Sequence, residues 1–261
     1  MTIGKFTFPR GVHPGAEKGL AADAAIEVLP APKSVNIPLA QHIGAPCKAT
    51  VKNKAELRLG DIVGEANGFV SAPVHASIDG KAGRELSVTL PTGQHVPAVP
   101  IKAAAEQEFD GQVLYDDVLG GDWSLPDLDT RKPDDICEAA ADAGLVGMGG
   151  AAFPTHVKLR PNAEKPISTL LINGAECEPY LTADYRLMLE AAAAVVAGAR
   201  LAGRATDADD VLICIEDNKP QAIEAMRAAA ADSGVKIAAL KTKYPQGGEK
   251  QLIQAVTGRE V

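Results

Sequence analysis

Three short apolar runs, separated by two helix-like stretches, occupy residues 168–240 and restrict the fold more than any other feature. The runs at 168–174, 211–216 and 235–240 are nearly continuous in apolar residues and predict buried strands. The stretches at 185–201 and 219–233 predict helices, the second with a proline in its first turn. This strand–helix–strand–helix–strand order predicts a parallel sheet joined by right-handed crossovers.

A glycine-rich stretch, residues 144–158, precedes this alternation and follows a helix predicted from residue 132 to residue 143. Glycines at 147, 149 and 150 would let the backbone approach a ligand closely, and Lys158 could add a positive charge to the same phosphate. The stretch matches neither the phosphate-loop pattern nor the usual dinucleotide fingerprint, because alanines replace the third glycine. A close-packed turn between two elements is the alternative interpretation.

Polar residues follow the first and third predicted strands, at 173–178 and 244–249. Ligands of open α/β sheets bind beyond the carboxyl ends of the strands, so we expect both segments at the ligand-binding edge, together with the glycine-rich stretch. Glu176 and Glu178 could face a ligand there. Alternatively, they are carboxylates that start a helix before Pro179.

The first half of the chain has a different texture. Residues 1 to about 45 are interrupted by prolines and are expected to be irregular and extended, with His13 and His42 as structural histidines. From residue 47 to 105, short apolar groups alternate with turn formers and predict strands. The phrases LGDIVG (59–64) and SAPVHASIDGKA (71–82) resemble biotinyl/lipoyl-type barrel-sandwich hybrids. The interval 65–70 lacks the lysine of a carrier, which favours a role in docking or assembly.

Residues 106–131 are acidic and turn-rich, and they predict a linker whose single tryptophan, Trp123, packs onto a domain. A net charge of −8 argues against nucleic acid as a partner. No apolar run approaches the roughly 18 residues of a membrane span, and the first five residues lack a secretory leader. Four isolated cysteines without a C-x-x-C pair argue against a metal or cluster site made by this chain alone. We expect a cytoplasmic protein.

Several longer phrases resemble those of one family, the C subunit of the bacterial Rnf electron-transport complex (RnfC). More distantly, they are similar to the FMN-binding, NADH-oxidising subunit of respiratory complex I. The phrases are GMGGAAFPTHVK (147–158), NGAECEPY (173–180), YPQGGEKQL (244–252), GVHP (11–14), IPL (37–39), QHIGAP (41–46) and EDNKP (216–220).

The resemblance implies an α/β Rossmann-like FMN-binding domain with a parallel sheet, over residues 132–261. A β-rich barrel-sandwich-hybrid domain over residues 1–105 and the linker 106–131 would precede it. It also implies roles for particular residues. Gly147, Gly149 and Gly150 would approach FMN, Lys158 would neutralise its phosphate, Asn173 and Glu176 would contact the flavin, Gly247 would shape the loop over it, Phe153 would stack on NADH, and Glu178 and Glu249 would face the dinucleotide. We expect Glu176, Glu178 and Glu249 to be the catalytic carboxylates.

As a function, the resemblance implies an electron-input subunit that passes electrons from NADH through FMN to [4Fe–4S] clusters. The cluster motifs of the family would fall beyond Val261, so the clusters are expected only in a longer chain. The expected partners are the other Rnf subunits, NADH and, indirectly, ferredoxin-linked carriers. The expected location is the cytoplasmic side of the inner membrane, with membrane contact only through partner subunits.

The sequence departs from the complex I pattern at Met148, Ala175, Cys177 and Gly248, where that pattern has an arginine, an acid, a serine and a second acid. These departures leave open a second hypothesis, a docking or assembly subunit without a cofactor. A third is a flavin-dependent cobalamin reductase of bacterial microcompartments, which resembles RnfC in the same motifs.

Overall fold

The computed structural model describes residues 6–108, 111–162 and 164–261. Residues 1–5, where no secretory leader was expected, and Asp110 of the acidic stretch lie outside these ranges. The chain divides into two compact units. We call them the sheet unit (Met1–Glu27, Asp116–Arg131 and Asn162–Val261) and the barrel unit (Val28–Tyr115 and Lys132–Pro161).

The helices and strands of the described residues are numbered here in chain order. They are β1 (Ser34–Pro38), β2 (Lys48–Ala49), β3 (Glu56–Leu57), β4 (Ile62–Glu65), β5 (Val74–His75), β6 (Gly80–Ala82), β7 (Leu86–Thr89), β8 (His95–Ala103), α1 (Gly111–Gly120), α2 (Pro133–Asp142), α3 (Thr155–Lys158), β9 (Thr169–Gly174), α4 (Ala183–Glu190), α5 (Ala192–Thr206), β10 (Asp210–Glu216), α6 (Pro220–Ala229), β11 (Lys236–Leu240) and α7 (Glu249–Thr257). Short 3₁₀ helices occur at Lys18–Leu20 and Leu128–Thr130.

In the sheet unit, β9, β10 and β11 form a parallel sheet in the order β11–β10–β9. The predicted parallel sheet is therefore confirmed, and each strand begins and ends within one residue of its predicted bounds. Alternate residues of β10 face opposite sides: Ile213 and Ile215 pack with α4, α5 and α6, whereas Cys214 packs with Leu252 of α7. Apolar surface buried on both sides of the sheet explains why its strands are almost uninterrupted apolar runs.

The barrel unit contains two antiparallel sheets. One has five strands, in the order β1–β8–β6–β3 with β7 also paired to β8, and the other has the order β2–β4–β5. Side chains from both sheets share one apolar core that includes Ile37, Val63 and Ile101. The expected β texture of residues 47–105 is thus confirmed, and β1 adds a strand within the stretch that was expected to be merely extended.

Two further differences from the sequence expectations concern helices. The stretch 185–201 forms two helices, α4 and α5, because the backbone at Ala191 leaves the helical region (φ −130°, ψ 36°). The acidic stretch 106–131 contains α1. Trp123 is half-buried and its indole N–H donates to the carbonyl oxygen of Val118 (3.1 Å) within the sheet unit.

Residues 132–161, which were predicted to share a domain with the parallel sheet, group with the barrel unit. They begin with α2, where Pro133 occupies the first turn and Asp134 and Asp135 favour the helix N-terminus. After this helix, Gly144 has φ +66°, and a Cβ there would overlap the carbonyl oxygen of Pro73. Glycine is therefore required where the glycine-rich stretch begins.

Candidate functional site

Backbone hydrogen bonds close the glycine-rich stretch into a loop inside the barrel unit. The amide of Gly147 donates to the carbonyl oxygen of Phe153 (2.9 Å), and the amide of Thr155 donates to that of Leu145 (2.9 Å). An antiparallel bridge between Val146 and Pro154 lies between these two bonds. Residues 147–153 therefore form a closed loop with a fixed base, which α3 follows directly.

The loop leaves open space above its central glycines. A Cβ at Gly149 or Gly150 would have no heavy atom within 4 Å, and the side chain of Met148 between them and Gly147 is 91% exposed. Ala152 takes a left-handed conformation (φ 50°), a strained geometry for a residue with a Cβ. Open backbone of this kind allows a ligand to approach the main chain directly.

The structure brings together three of the residues predicted to serve a phosphate. The ammonium of Lys158 lies 3.7 Å from the position that a Cβ on Gly147 would occupy, and 5.7 Å from the centre of the Phe153 ring. The side chain of Lys158 is exposed. One positive charge is thus held at the base of an open glycine loop, as an anion site requires.

A second set of predicted residues meets in the sheet unit, where β9 and β11 end. The side-chain amide of Asn173 donates to the carbonyl oxygen of Gly247 (2.8 Å), and the Gly247 amide donates to the sulfur of Cys177 (3.4 Å). A Cβ at Gly247 would overlap the carbonyl oxygen of Ala175. The segments 173–178 and 244–249 are therefore in direct contact at the carboxyl edge of the sheet, as expected.

The carboxylates predicted to be catalytic differ in exposure. Glu178 and Glu249 are exposed, and Glu249 is the first residue of α7. Glu176 is only 3% exposed, and its Oε1 accepts a hydrogen bond from the amide of Asp184 at the start of α4 (2.9 Å). This contact matches the alternative interpretation of Glu176 as a helix-start carboxylate. Burial raises the pKa of Glu176, although the Asp184 amide and Lys18 oppose that shift.

A buried ion pair, which the sequence analysis did not identify, lies beside Glu176. Lys219 donates to Oε2 of Glu216 (3.1 Å), and the two side chains are 3% and 0% exposed. Among the described residues, Oε1 of Glu216 and Oε2 of Glu176 have no hydrogen-bond partner. Both residues line a cavity of about 50 Å³, which is also bordered by Lys18, His13 and Tyr244 of the same unit. The only sequence signal for the pair is an acid and a base three residues apart after a buried strand.

His42 is part of the barrel unit's hydrogen bonding, as expected of a structural histidine. Its Nε2 lies 3.1 Å from the amide of Ala72 and 3.6 Å from the sulfur of Cys47, whereas His13 is exposed. The cysteines are free thiols, and burial raises the pKa of Cys214 to about 12. In the ranges that the structure describes, no cluster of three or more His, Cys, Asp or Glu side chains could hold a metal ion. No helix in those same ranges is both long enough and apolar enough to cross a membrane.

Two family models match this chain. The first is described as the "RnfC Barrel sandwich hybrid domain" and matches residues 6–106. The second is described as the "Nuo51 FMN-binding domain" and matches residues 140–261, a range that contains both the glycine loop and the β9 and β11 ends. The chain thus combines a barrel-sandwich-hybrid domain with a domain of the FMN-binding class found in electron-transfer proteins.

Whole-chain relatives have one name in common. The chain is 44% identical to the C subunit of the Na⁺-translocating ferredoxin:NAD⁺ oxidoreductase complex of Acetobacterium woodii, covering 100% of this chain and 57% of that protein. It is 42% identical to the C subunit of the proton-translocating complex of Clostridium ljungdahlii (98% and 54%), and 38% identical to that of the ion-translocating oxidoreductase complex of Rhodobacter capsulatus (98% and 48%). The chain belongs to the RnfC family and spans about half the length of these relatives.

A solved structure provides a weaker comparison. A chain of an NAD⁺-reducing [NiFe]-hydrogenase in the air-oxidized state is 33% identical over 52% of this chain and 25% of that one, with a TM-score of 0.44. That score is too low to support an argument about the fold.

Proposed function

We propose that this chain is the FMN- and NADH-binding, electron-input part of an RnfC-type subunit, with a Rossmann-like fold in its sheet unit. The observation that carries the proposal is the open glycine loop with the Lys158 ammonium at its base, inside the range matched by an FMN-binding family. The named functions of the whole-chain relatives, ferredoxin:NAD⁺ oxidoreductase complexes, support the redox assignment.

The described residues fit the phosphate end of FMN. Gly149 and Gly150 provide backbone that no side chain covers, and Lys158 provides a charge that can pair with a phosphate. Gly147 is part of the loop base and lies beside Lys158, so a bulkier residue there would displace the ammonium. We propose that Phe153, which lies in the same loop, stacks on the adenine of NADH.

At the strand ends, we propose that Asn173 and Gly247 contact the isoalloxazine ring and that Glu178 and Glu249 face the dinucleotide. The hydrogen bond from Asn173 to Gly247 holds the two segments in register, and both carboxylates are exposed and available to a ribose hydroxyl or amide. Glu176 would contribute mainly through its backbone and its bond to α4. When bound, FMN would supply the two-electron to one-electron conversion that a nicotinamide donor and a cluster acceptor require.

The partners and location follow from the same family. We propose that the chain functions as a peripheral subunit on the cytoplasmic side of the membrane, bound to other Rnf subunits. The [4Fe–4S] clusters would be supplied by a longer chain or by a partner. The relatives' names, which describe them as the C subunits of ion-translocating oxidoreductase complexes, support this assignment.

The phosphate role can be tested by titrating the chain with FMN and, in parallel, with riboflavin, which lacks the phosphate. Lys158→Gln should weaken FMN binding about tenfold or more, because a charged hydrogen bond is lost, while riboflavin binding should change by less than about twofold. Lys48→Gln, an exposed lysine of β2 in the same unit, is the matched control. Equal losses for both flavins would contradict the phosphate role. No FMN binding, even in a version extended to the relatives' full length, would contradict the flavin assignment.

One observation favours a second candidate, a docking subunit without a cofactor. Met148 at the tip of the loop is apolar and 91% exposed, and Ala175 and Gly248 offer no charge to a ligand. If the site is vestigial, restoring arginine at 148 and aspartate at 175 should create flavin binding that the original chain lacks. If the original chain already binds FMN, this candidate is excluded.

A further inference from the structure

One lysine from the beginning of the described chain is bound to the turn that follows β9. The ammonium of Lys18 donates to the carbonyl oxygens of Glu176 (2.9 Å), Glu178 (3.0 Å) and Leu181 (2.6 Å). An ammonium has three hydrogens, so each of them has a main-chain acceptor in this one turn. The Lys18 side chain is 15% exposed.

The carbonyl contacts, rather than an ion pair, dominate this arrangement. The nearest carboxylate oxygen, Oε2 of Glu176, is 3.9 Å from the ammonium, whereas the three carbonyl oxygens are all within 3.0 Å. A second lysine, Lys219, also donates to the Glu176 carbonyl oxygen (3.3 Å) from the end of β10. Two ammonium groups therefore fix the position of the residue that begins the turn.

The segment that carries Lys18 is itself attached to the sheet unit. Phe6 forms a parallel bridge with Leu240, and Val12 and Tyr244 exchange two backbone hydrogen bonds (2.9 and 2.8 Å). Nearer to Lys18, the amide of Tyr180 donates to the carbonyl oxygen of Ala16 (3.0 Å). The segment is thus anchored before and beside the turn, which limits the freedom of the Lys18 side chain.

From this geometry we infer that Lys18 is a positioning residue: its ammonium holds the Glu176–Leu181 turn in the conformation that presents Glu178 to a ligand. The turn also contains Cys177, whose sulfur accepts from the Gly247 amide, so a displaced turn would disturb the β11 side as well. The structural part of this inference stands on the contacts alone. Its consequence for NADH binding rests on the proposed function.

Burial has a cost that the three carbonyl oxygens must offset. It lowers the pKa of Lys18, and the nearby Lys219 lowers it further, while Glu176 and Glu216 oppose the shift. A neutral amine would donate only two hydrogens and would leave one carbonyl without this partner. A small organic cation of the right size should therefore be able to replace the lysine head group, and a neutral molecule of the same shape should not.

The test is hydrogen–deuterium exchange on the chain carrying Lys18→Ala, with and without n-propylammonium, which replaces the atoms that the substitution removes. The hydrogen-bonded amides of Tyr180 and Asp184 report the turn. We expect their exchange to accelerate at least about tenfold, because hydrogen bonds to a charged group are lost, and propylammonium to restore protection. Propanol at the same concentration should not restore it. Lys250→Ala, an exposed lysine of α7, is the matched control.

Lys18→Met provides the second arm, because it keeps the apolar stem and removes only the charge. Protection in β10 reports whether the sheet unit is folded, and we expect it to be unchanged while the turn loses protection. Turn protection like that of the original chain in both variants, or rescue by propanol as well as by propylammonium, would overturn the inference. If Lys18→Ala does not fold, the exchange of Lys18→Met decides alone.

An NADH titration separates this inference from the proposed function. If the original chain binds NADH, Lys18→Met should weaken that binding and Lys250→Ala should not. If the original chain binds neither NADH nor FMN, the proposed function fails, while the exchange experiment still decides the role of Lys18. A variant that loses turn protection but keeps the NADH affinity would refute the link between the turn and the ligand.

Discussion

Breaking the buried ion pair between Lys219 and Glu216 should destabilise the sheet unit strongly. Their side chains are 3% and 0% exposed, and the second carboxylate oxygen of Glu216 has no partner among the described residues. Lys219→Met would therefore leave a buried charge without its ammonium, which typically costs about 3–5 kcal/mol. With a urea m-value of about 2 kcal/mol/M, the unfolding midpoint would fall by about 1.5–2.5 M.

The fluorescence of Trp123 provides the assay, because it is the only tryptophan and lies in the sheet unit. Lys236→Met is the matched control: it removes an ion pair with Asp210 whose side chains are 62% and 47% exposed, so its cost should be at most about 1 kcal/mol. Replacing both Glu216 and Lys219 by methionine should recover most of the loss, because no uncompensated charge remains.

Two results would refute the reasoning. One is a cost for Lys219→Met that is no larger than that of the exposed control. The other is a double replacement that is as unstable as the single one, because the loss would then come from packing rather than from the stranded carboxylate.

Two further predictions concern the edge of the sheet. Gly247→Ala should weaken FMN binding, because its Cβ would overlap the carbonyl oxygen of Ala175 and displace the loop; unchanged affinity in a flavin titration would contradict this. Glu176→Gln should flatten the pH dependence of stability. Burial raises the folded-state pKa of Glu176 above its ordinary value of 4.5, so the original chain should lose stability as pH rises from 4.5 through that raised value. Urea unfolding of both proteins across this range measures the difference, and parallel profiles would count against it.

The sheet was predictable because its signal is local. Each strand is a short, nearly uninterrupted apolar run, and the order of elements admits few topologies. The break at Ala191 was not predictable in the same way, because alanine favours a helix and nothing in its neighbourhood marks an interruption. For α1, the apolar pattern of Val113, Leu114 and Val118 was present, but the acidic residues around it favoured a linker.

The candidate site shows the same division between local and distant information. The glycine loop and Lys158 are eight residues apart at most from their nearest partners, and the sequence placed them together. The contacts of Lys18 with the turn after β9 span about 160 residues, and no pattern near residue 18 indicates them. Likewise, the sulfur of Cys177 acts as an acceptor for a glycine 70 residues away, a role that residue type alone does not suggest.

The sheet unit draws its residues from three separate parts of the chain, and the barrel unit draws its own from the two parts between them. The polypeptide thus passes from one unit to the other four times. A single cut therefore cannot release either unit intact, and a truncation after residue 161 would retain every barrel segment but deprive Phe6 and Val12 of their strand partners. During synthesis, the barrel unit can close first, whereas the opening residues must wait for the last strand before they acquire a structure.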